Sequence, residues 1–521
     1  MATTATPHAK SAGMIVRALV LALVVILALT MARRADAQTP VRGGTLRVGW
    51  IPDAKTLDPH FSVQFSERHV LYLIFNTLVG LDRSFSVVPE LARSWHVSPD
   101  GKRVTFQLQR GVKFHDGTDF SAEVVKWNID RILDPATKSP QRSQLEPAVA
   151  AVSVVDPYTV VFELKKPFAP LLAALAERPG FILSPAAMKK WGENFGQHPV
   201  GTGPFRFVDF VQDSRVTLER FDGYWEKGKP YVDKVVFQVV PDPTVRSTMV
   251  RTGEVDIATD VEVKDVPSLQ ADQTLRVSEM KPPARWNVLQ WQVDKPPFNN
   301  KALRQAIALG IDRDELKQVF QQGYGEVARG PVTPGLWWYN PNLKGYGYDP
   351  ELAKKKLAEA GYPNGFRYKF SVENTPQWIR QAELLQNQLQ KINVTMDFDL
   401  VNTADAYALI VQRKTNWTHT RWTQRADPHG LFYILFHSKG FANSTGYNNP
   451  KVDELLDRAA TIYEPERRKP LYHEAEQIIA EDAPYVWMNY TAEFAVMNRK
   501  VQNWVWVPDL IPRFRELWLE K

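Results

Sequence analysis

Gly201-Thr202-Gly203-Pro204-Phe205-Arg206 starts as a dinucleotide-binding loop starts and then departs from it. The third glycine of such a loop is missing, and Pro204 obstructs the helix that would have to follow. A nucleotide-binding half is therefore excluded for a chain that still alternates short strands with helices. Upstream, Trp95 and Val97, then Val104, Phe106 and Leu108, alternate around Pro99-Asp100-Gly101, a hairpin pattern. Val124, Val125, Ile129, Ile132 and Leu133 predict a helix over Ser121–Leu133. A second strand pair flanks Asp156-Pro157, and Thr45–Trp50 reads as the first strand. Downstream, Val235–Val240 is nearly all apolar, which predicts a strand covered on both faces.

The second half reads as more helical. Asn300 and Asp312 stand where caps belong, before helices carrying Ala302, Leu303, Ala306 and Ile307, then Leu316, Val319 and Phe320, with a stop at Gly323. Asp349-Pro350 starts a helix that ends at Gly361. Stripes at Leu384–Leu389, Val452–Ala459 and Leu471–Ile479 predict three more. There is no repeat of fixed period and no low-complexity linker, so the organisation is mixed α and β with a strand-rich first half.

The 521 residues are 44% hydrophobic, enough for a large core and for two to four domains. With 16 Trp, 17 Tyr and 26 Phe, disorder is excluded as the main state. The absence of cysteine excludes disulfides, a thiol nucleophile, iron–sulfur clusters, thiolate zinc sites and a lipid anchor on an N-terminal cysteine. Lys10 and Arg17 precede the apolar run Ala18–Leu29, and Ala35-Asp36-Ala37 supplies a small-residue cleavage site. This predicts a secretory signal peptide over residues 1–37, because the run is too short for a span of about 20 residues. Lys10, Arg17, Arg33 and Arg34 against Asp36 give the leader a net +3 out of the chain's +6. The rest is nearly balanced, with interspersed charges, and makes no case for nucleic acid. A soluble, exported, periplasmic protein is expected, and not a lipoprotein.

Chemistry is mostly missing. No phosphate-binding loop or nucleophile elbow occurs, and His473-Glu474 lacks the second histidine of a zinc helix. Asp397-Phe398-Asp399 places two carboxylates on one strand face, which reads as the wet side of a sheet before it reads as a cation site. No catalytic residue, metal site or cofactor is expected.

Nine segments in order give the chain a family resemblance. They are Gly43-Gly44-Thr45-Leu46-Arg47, Leu57-Asp58-Pro59, Pro89-Glu90-Leu91-Ala92-Arg93-Ser94-Trp95, Asp100-Gly101-Lys102 and Gly111-Val112-Lys113-Phe114-His115-Asp116-Gly117. Then come Gly201-Thr202-Gly203-Pro204-Phe205, Gly223-Tyr224-Trp225, Phe298–Ala306 and Gly446–Asp453. Together they resemble the family 5 extracellular solute-binding proteins of ABC importers, which include dipeptide-, oligopeptide- and nickel-binding proteins. The resemblance implies an α/β, two-lobed, type II periplasmic-binding-protein clamp with an extra subdomain inserted in the N-terminal lobe. Lobe I would comprise 41–82, 200–285 and 495–521, the inserted subdomain 83–199, and lobe II 286–494, with hinge strands near Trp286–Gln292 and Pro484–Glu493. Gly201–Phe205 would be a crossing between lobes in which glycine permits an unusual backbone. Trp95 and Trp225 read as core.

The implied function is capture of a peptide or peptide-like ligand between the lobes and delivery to a permease and ATPase complex at the inner membrane, by a monomer that is not an enzyme. Peptide-binding relatives carry Trp-x-x-Asp followed by an acidic residue and Pro, and the Asp pairs with the ligand's ammonium. Here the matching stretch is Trp422-Thr423-Gln424-Arg425-Ala426-Asp427-Pro428. Trp422 matches, Arg425 stands where the Asp would be, and the segment is one residue shorter. Either Asp427 compensates, or the ligand presents an anion that Arg425 grips. Asp427-Pro428 also reads as a turn or helix entry. Trp422, Arg425, Asp427, Trp417, Arg421 and Phe65 are thus the candidate ligand contacts. A non-peptide anionic metabolite such as an opine or acylated amino acid is the alternative. A metal chelate near His429 and His437 and a secreted hydrolase follow behind.

Overall fold

Thr45–Trp50 forms a strand whose Leu46, Val48 and Trp50 all point into one core. The computed structural model describes residues 39–50 and 54–521, apart from the side chains of residues 403, 404, 407, 411, 417 and 418. The expected leader, 1–37, lies outside the described residues. Among the described residues no helix is long and apolar enough to cross a membrane.

Among the described residues three larger sheets organise the chain, beside two two-stranded ones. The first has seven strands in the order Leu275–Glu279, Phe494–Asn498, Ile257–Thr259, Thr45–Trp50, Lys234–Val239, Arg215–Arg220, Phe205–Val211. It combines strands from both ends of the chain, and Thr45–Trp50 pairs in parallel with two neighbours that are far away in sequence. The second has six strands in the order Glu326–Val327, Tyr485–Tyr490, Arg285–Gln290, Trp417–Thr423, Phe366–Glu373, Val394–Val401. The third is an antiparallel meander of four, Ala92–Val97, Arg103–Leu108, Thr159–Leu164 and Val149–Asp156, covered by the helix Ala122–Leu133. We refer to the first sheet and its helices as lobe I, the second as lobe II, and the third as the inserted subdomain.

Two segments cross side by side between the lobes, Met280–Ala284 and Thr491–Glu493. They are stitched by Thr491 N–H to Arg285 O at 3.0 Å and by Met280 N–H to Glu493 O at 2.9 Å. The lobes meet again at the rim. There Ala169 N–H of the inserted subdomain donates to Ala460 O of lobe II at 2.9 Å. The Tyr463 hydroxyl donates to Gly101 O at 3.0 Å and accepts from Phe168 N–H at 3.4 Å.

Local signals were reliable in the helices. Asn300 Oδ1 accepts from Ala302 and Leu303 N–H, Asp312 from Glu315 N–H, and Asp349 from Leu352 N–H, so each cap lies where its residue type predicts. Asp397 and Asp399 pair with Arg367 and Lys369 on the neighbouring strand, as the outer face of a sheet. Two readings need correction. The strand Lys234–Val239 buries only Val235 and Phe237 fully, because its other face is half covered. Val319, read with Leu316 and Phe320 as an apolar residue of the helix Arg313–Gln321, is 57% exposed.

Gly201–Phe205 is a third correction. It does not run between lobes but returns from the inserted subdomain to the edge strand of lobe I. Neither Gly201 nor Gly203 has a left-handed backbone; a Cβ would meet Ile74 O at 2.2 Å or Leu73 O at 2.4 Å. Close approach, not backbone freedom, is what requires glycine here. His115, from another of the nine segments, clamps the stretch: its N–H donates to Gly201 O at 3.0 Å, and its Nε2 lies 3.0 Å from Gly203 O. Because a carbonyl can only accept, Nε2 carries the proton. Nδ1 is then free to accept from Gly201 N–H at 3.4 Å. Burial holds His115 neutral, with its pKa down to about 4.

Candidate ligand site between the lobes

The helix Phe65–Ile74 contains Ser66-Glu67-Arg68-His69, four polar residues in succession, all buried. Glu67 folds the preceding loop onto the helix. Its Oε2 accepts from Ser62 Oγ at 2.7 Å and from Val63 and Gln64 N–H at 2.9 Å each, and its Oε1 from Lys55 and Thr56 N–H. That fixed start aims Phe65, Arg68 and His69, at i, i+3 and i+4, along one face.

The inserted subdomain brings Glu177 and Arg178 against this face. Gly180 permits the turn, since a Cβ there would lie 1.7 Å from Leu175 O. Arg178 spends Nε on Ser62 Oγ at 3.2 Å and Nη2 on Gln64 O at 2.7 Å. Glu177 Oε2 lies 3.5 Å from Arg68 Nη1 and, across the cleft, 3.9 Å from Arg425 Nη1 of lobe II. Burial depresses the proton affinity of Arg68; Glu177 offsets this and Arg425 adds to it. Arg178 is lowered by burial and by the charges of Arg68 and Arg425.

Beside this cluster, at the crossing segments, Arg285 Nη1 donates to Asp260 Oδ1 of lobe I at 3.0 Å and to Glu493 Oε2 at 3.3 Å. Thr491 Oγ1 donates to Glu493 Oε1 at 2.7 Å. Burial opposes ionisation of both acids. Arg285, Arg421 and Arg246 outweigh it at Asp260, which is held low, whereas at Glu493 burial and the Asp260 charge win and its pKa rises. A small pocket with room for little more than a water molecule lies against these groups, with Phe65, His69 and Trp506 on its walls. The Arg285 guanidinium stands 5.2 Å over the Phe65 ring.

The candidate contacts divide. Phe65 borders the pocket, and Arg425, with a 20% exposed side chain, faces Glu177 of the opposite lobe. Arg421 is exposed and lies 5.1 Å over Trp378, and its charge acts on both Asp260 and Glu493. Trp422 is half-buried in the lobe II core, paired in register with Trp286. Trp417 begins the same strand, with its side chain outside the described ones. Asp427 turns away from the cluster. Its Oδ2 and Oδ1 accept from Arg468 Nη1 at 2.6 Å and Nη2 at 2.7 Å, and Oδ1 also accepts from His429 N–H at the start of a helix. Among the described residues no group of acids and histidines could hold a metal ion.

The family model of bacterial extracellular solute-binding proteins, family 5, matches residues 86–443. The chain is also 31% identical over 442 residues to the glutathione-binding protein GsiB of Escherichia coli K12, covering 83% of this chain and 86% of that one. This chain is a family 5 extracellular solute-binding protein. The fold agrees. The DppA periplasmic binding protein of Helicobacter pylori, in complex with the peptide STSA, superposes with a TM-score of 0.85 at 28% identity, over 92% of this chain and 99% of that one. AgaA of A. tumefaciens R10, in complex with agropinic acid, gives 0.81 at 27%, over 92% and 99%. The two-lobed type II architecture of this solute-binding protein is that of its relatives.

Arg68, Glu177, Asp260, Arg285 and Glu493 are candidate site residues that sequence reading missed. For Arg68 a signal existed: four polar residues run consecutively inside a helix that then continues with the apolar Val70, Leu71, Leu73 and Ile74. Glu177 carries no such signal, because only the tertiary fold brings it to the cleft.

Proposed function

We propose that this protein captures a small peptide or peptide-like solute between its lobes in the periplasm, unchanged, and delivers it as a monomer to the permease and ATPase of a peptide-type ABC importer. The observation that carries the reading is the meeting of charged side chains from both lobes, Arg68 and Glu177 from one and Arg425 from the other, beside two adjacent crossing segments. A solute that touches both sides only when they are closed shifts the open–closed equilibrium by its differential affinity. A preference of about 10⁴-fold takes a 1:99 mixture to 99:1, and the closed form is what a permease reads. The leader-like segment 1–37 supports export.

The likeness to glutathione- and peptide-binding relatives favours a peptide-like solute. A non-peptide anionic metabolite is the second reading, favoured by Arg425 where peptide binders carry an acid and by the likeness to the agropinic acid complex. Mass spectrometry of the denatured protein identifies what co-purifies. A thermal-shift panel follows, in which a ligand at 100 times its Kd adds about 2.7 kcal/mol. Recovery of the solute intact supports a carrier, and its conversion to products refutes the reading in favour of a hydrolase.

A further inference from the structure

Three guanidiniums, Arg68, Arg178 and Arg425, face the carboxylate of Glu177, with Asp509 also acting on Arg68 and Glu67 on Arg178, and the separations from Glu177 are loose. At 3.5 and 3.9 Å, Glu177 lies beyond good hydrogen-bond distance from either partner, whereas Asp427 and Arg468 of the same protein close to 2.6 and 2.7 Å. Arg68 is 1% exposed, yet among the described residues its Nε and Nη1 have no hydrogen-bond acceptor. A buried guanidinium with unused donors is costly to keep unless something accepts from it. Arg178 is different: its Nε and Nη2 donate to Ser62 Oγ and Gln64 O, which anchor it to the loop before the helix while its charge adds to the positive field.

We propose that this cluster is a carboxylate subsite, in which a carboxylate of the bound solute lies between Arg68 of lobe I and Arg425 of lobe II and joins them. The inference rests on capture between the lobes as proposed above, and it names the group that does the joining. It reverses the charge preference of the Trp-x-x-Asp segment, in which an acid holds an ammonium. A planar carboxylate suits the forked donors of arginine. Because the two arginines belong to different lobes, the anion is recognised only on closure, which makes it a closing contact as well as a specificity contact.

The test uses glutathione and its diethyl ester as probes, titrated calorimetrically into the full protein, its Arg425→Ala variant and its Arg425→Lys variant, with circular dichroism to establish folding. The free acid is expected to bind wild type at least about tenfold more tightly than the ester, as loss of a hydrogen-bonded charge requires. Arg425→Ala is expected to lose that factor and to treat acid and ester alike, and Arg425→Lys to regain part of it. Acid and ester bound within about twofold by wild type, or a preference retained by Arg425→Ala, overturns the subsite while leaving capture between the lobes intact. A wild type that binds neither probe overturns the peptide-like reading and the subsite with it.

Discussion

Asp427 offers a sharp separation between holding a solute and holding the fold. Its carboxylate accepts two hydrogen bonds from Arg468, which is 3% exposed and donates its remaining contacts to Ala459 O and the Tyr472 hydroxyl. Asp427→Ala leaves that guanidinium buried with two donors unmet. Removing one member of such a pair costs about 3–5 kcal/mol, whereas replacing both by apolar groups is close to neutral. Lobe II is a unit of roughly 200 residues, for which 1 kcal/mol moves the Tm by about 2–4 °C. Calorimetric melting of the ligand-free protein should therefore show a fall of about 6–20 °C in Asp427→Ala, with most of it recovered in Asp427→Ala/Arg468→Met. Solute affinity measured well below the transition should change by less than about threefold. A Tm within about 2 °C of wild type together with a tenfold loss of affinity would show that Asp427 serves the solute, and that the reading of the Arg468 pair as structural is wrong.

Gly201→Ala places a Cβ 2.2 Å from Ile74 O, so soluble yield and Tm should both fall sharply, and a variant melting with wild type refutes the close-approach argument. Glu493 has a raised pKa in the folded state, so the folded protein holds a proton that the unfolded chain, titrating near 4.5, releases; stability from this group falls as pH rises from about 4.5 toward neutrality. Glu493→Gln should therefore match wild type in Tm at pH 5 and exceed it at pH 8, and the opposite trend refutes the assignment. Tyr463→Ala removes the rim bridge to Gly101 and Phe168 and should raise the radius of gyration of the ligand-free protein in small-angle scattering. An unchanged profile would mean the contact does not bias closure.

Legibility in the sequence followed the range of the interaction. Caps at Asn300, Asp312 and Asp349 act over two or three residues and were read correctly, as was the hairpin at Pro99–Gly101. The glycines at 201 and 203 were noticed for the wrong reason, because backbone freedom is a local property and the Ile74 carbonyl that excludes a side chain comes from another part of the chain. The site divides in the same way. Arg425 stood out by departing from a local pattern. Glu177 lies 248 residues from it in sequence and needs three folded bodies to arrive at 3.9 Å. Asp427, equally visible in that pattern, is claimed by Arg468, which no local rule could announce.

The bridge from Ala169 to Ala460 and through Tyr463 to Gly101 is built entirely from the protein's own groups, so it can form in the empty carrier. An empty carrier that spends time shut looks, from outside, like a loaded one, and it competes for the same docking place on the transporter. Uptake would then depend on the ratio of cargo to carrier, so that overproducing this protein in scarce medium slows import instead of speeding it.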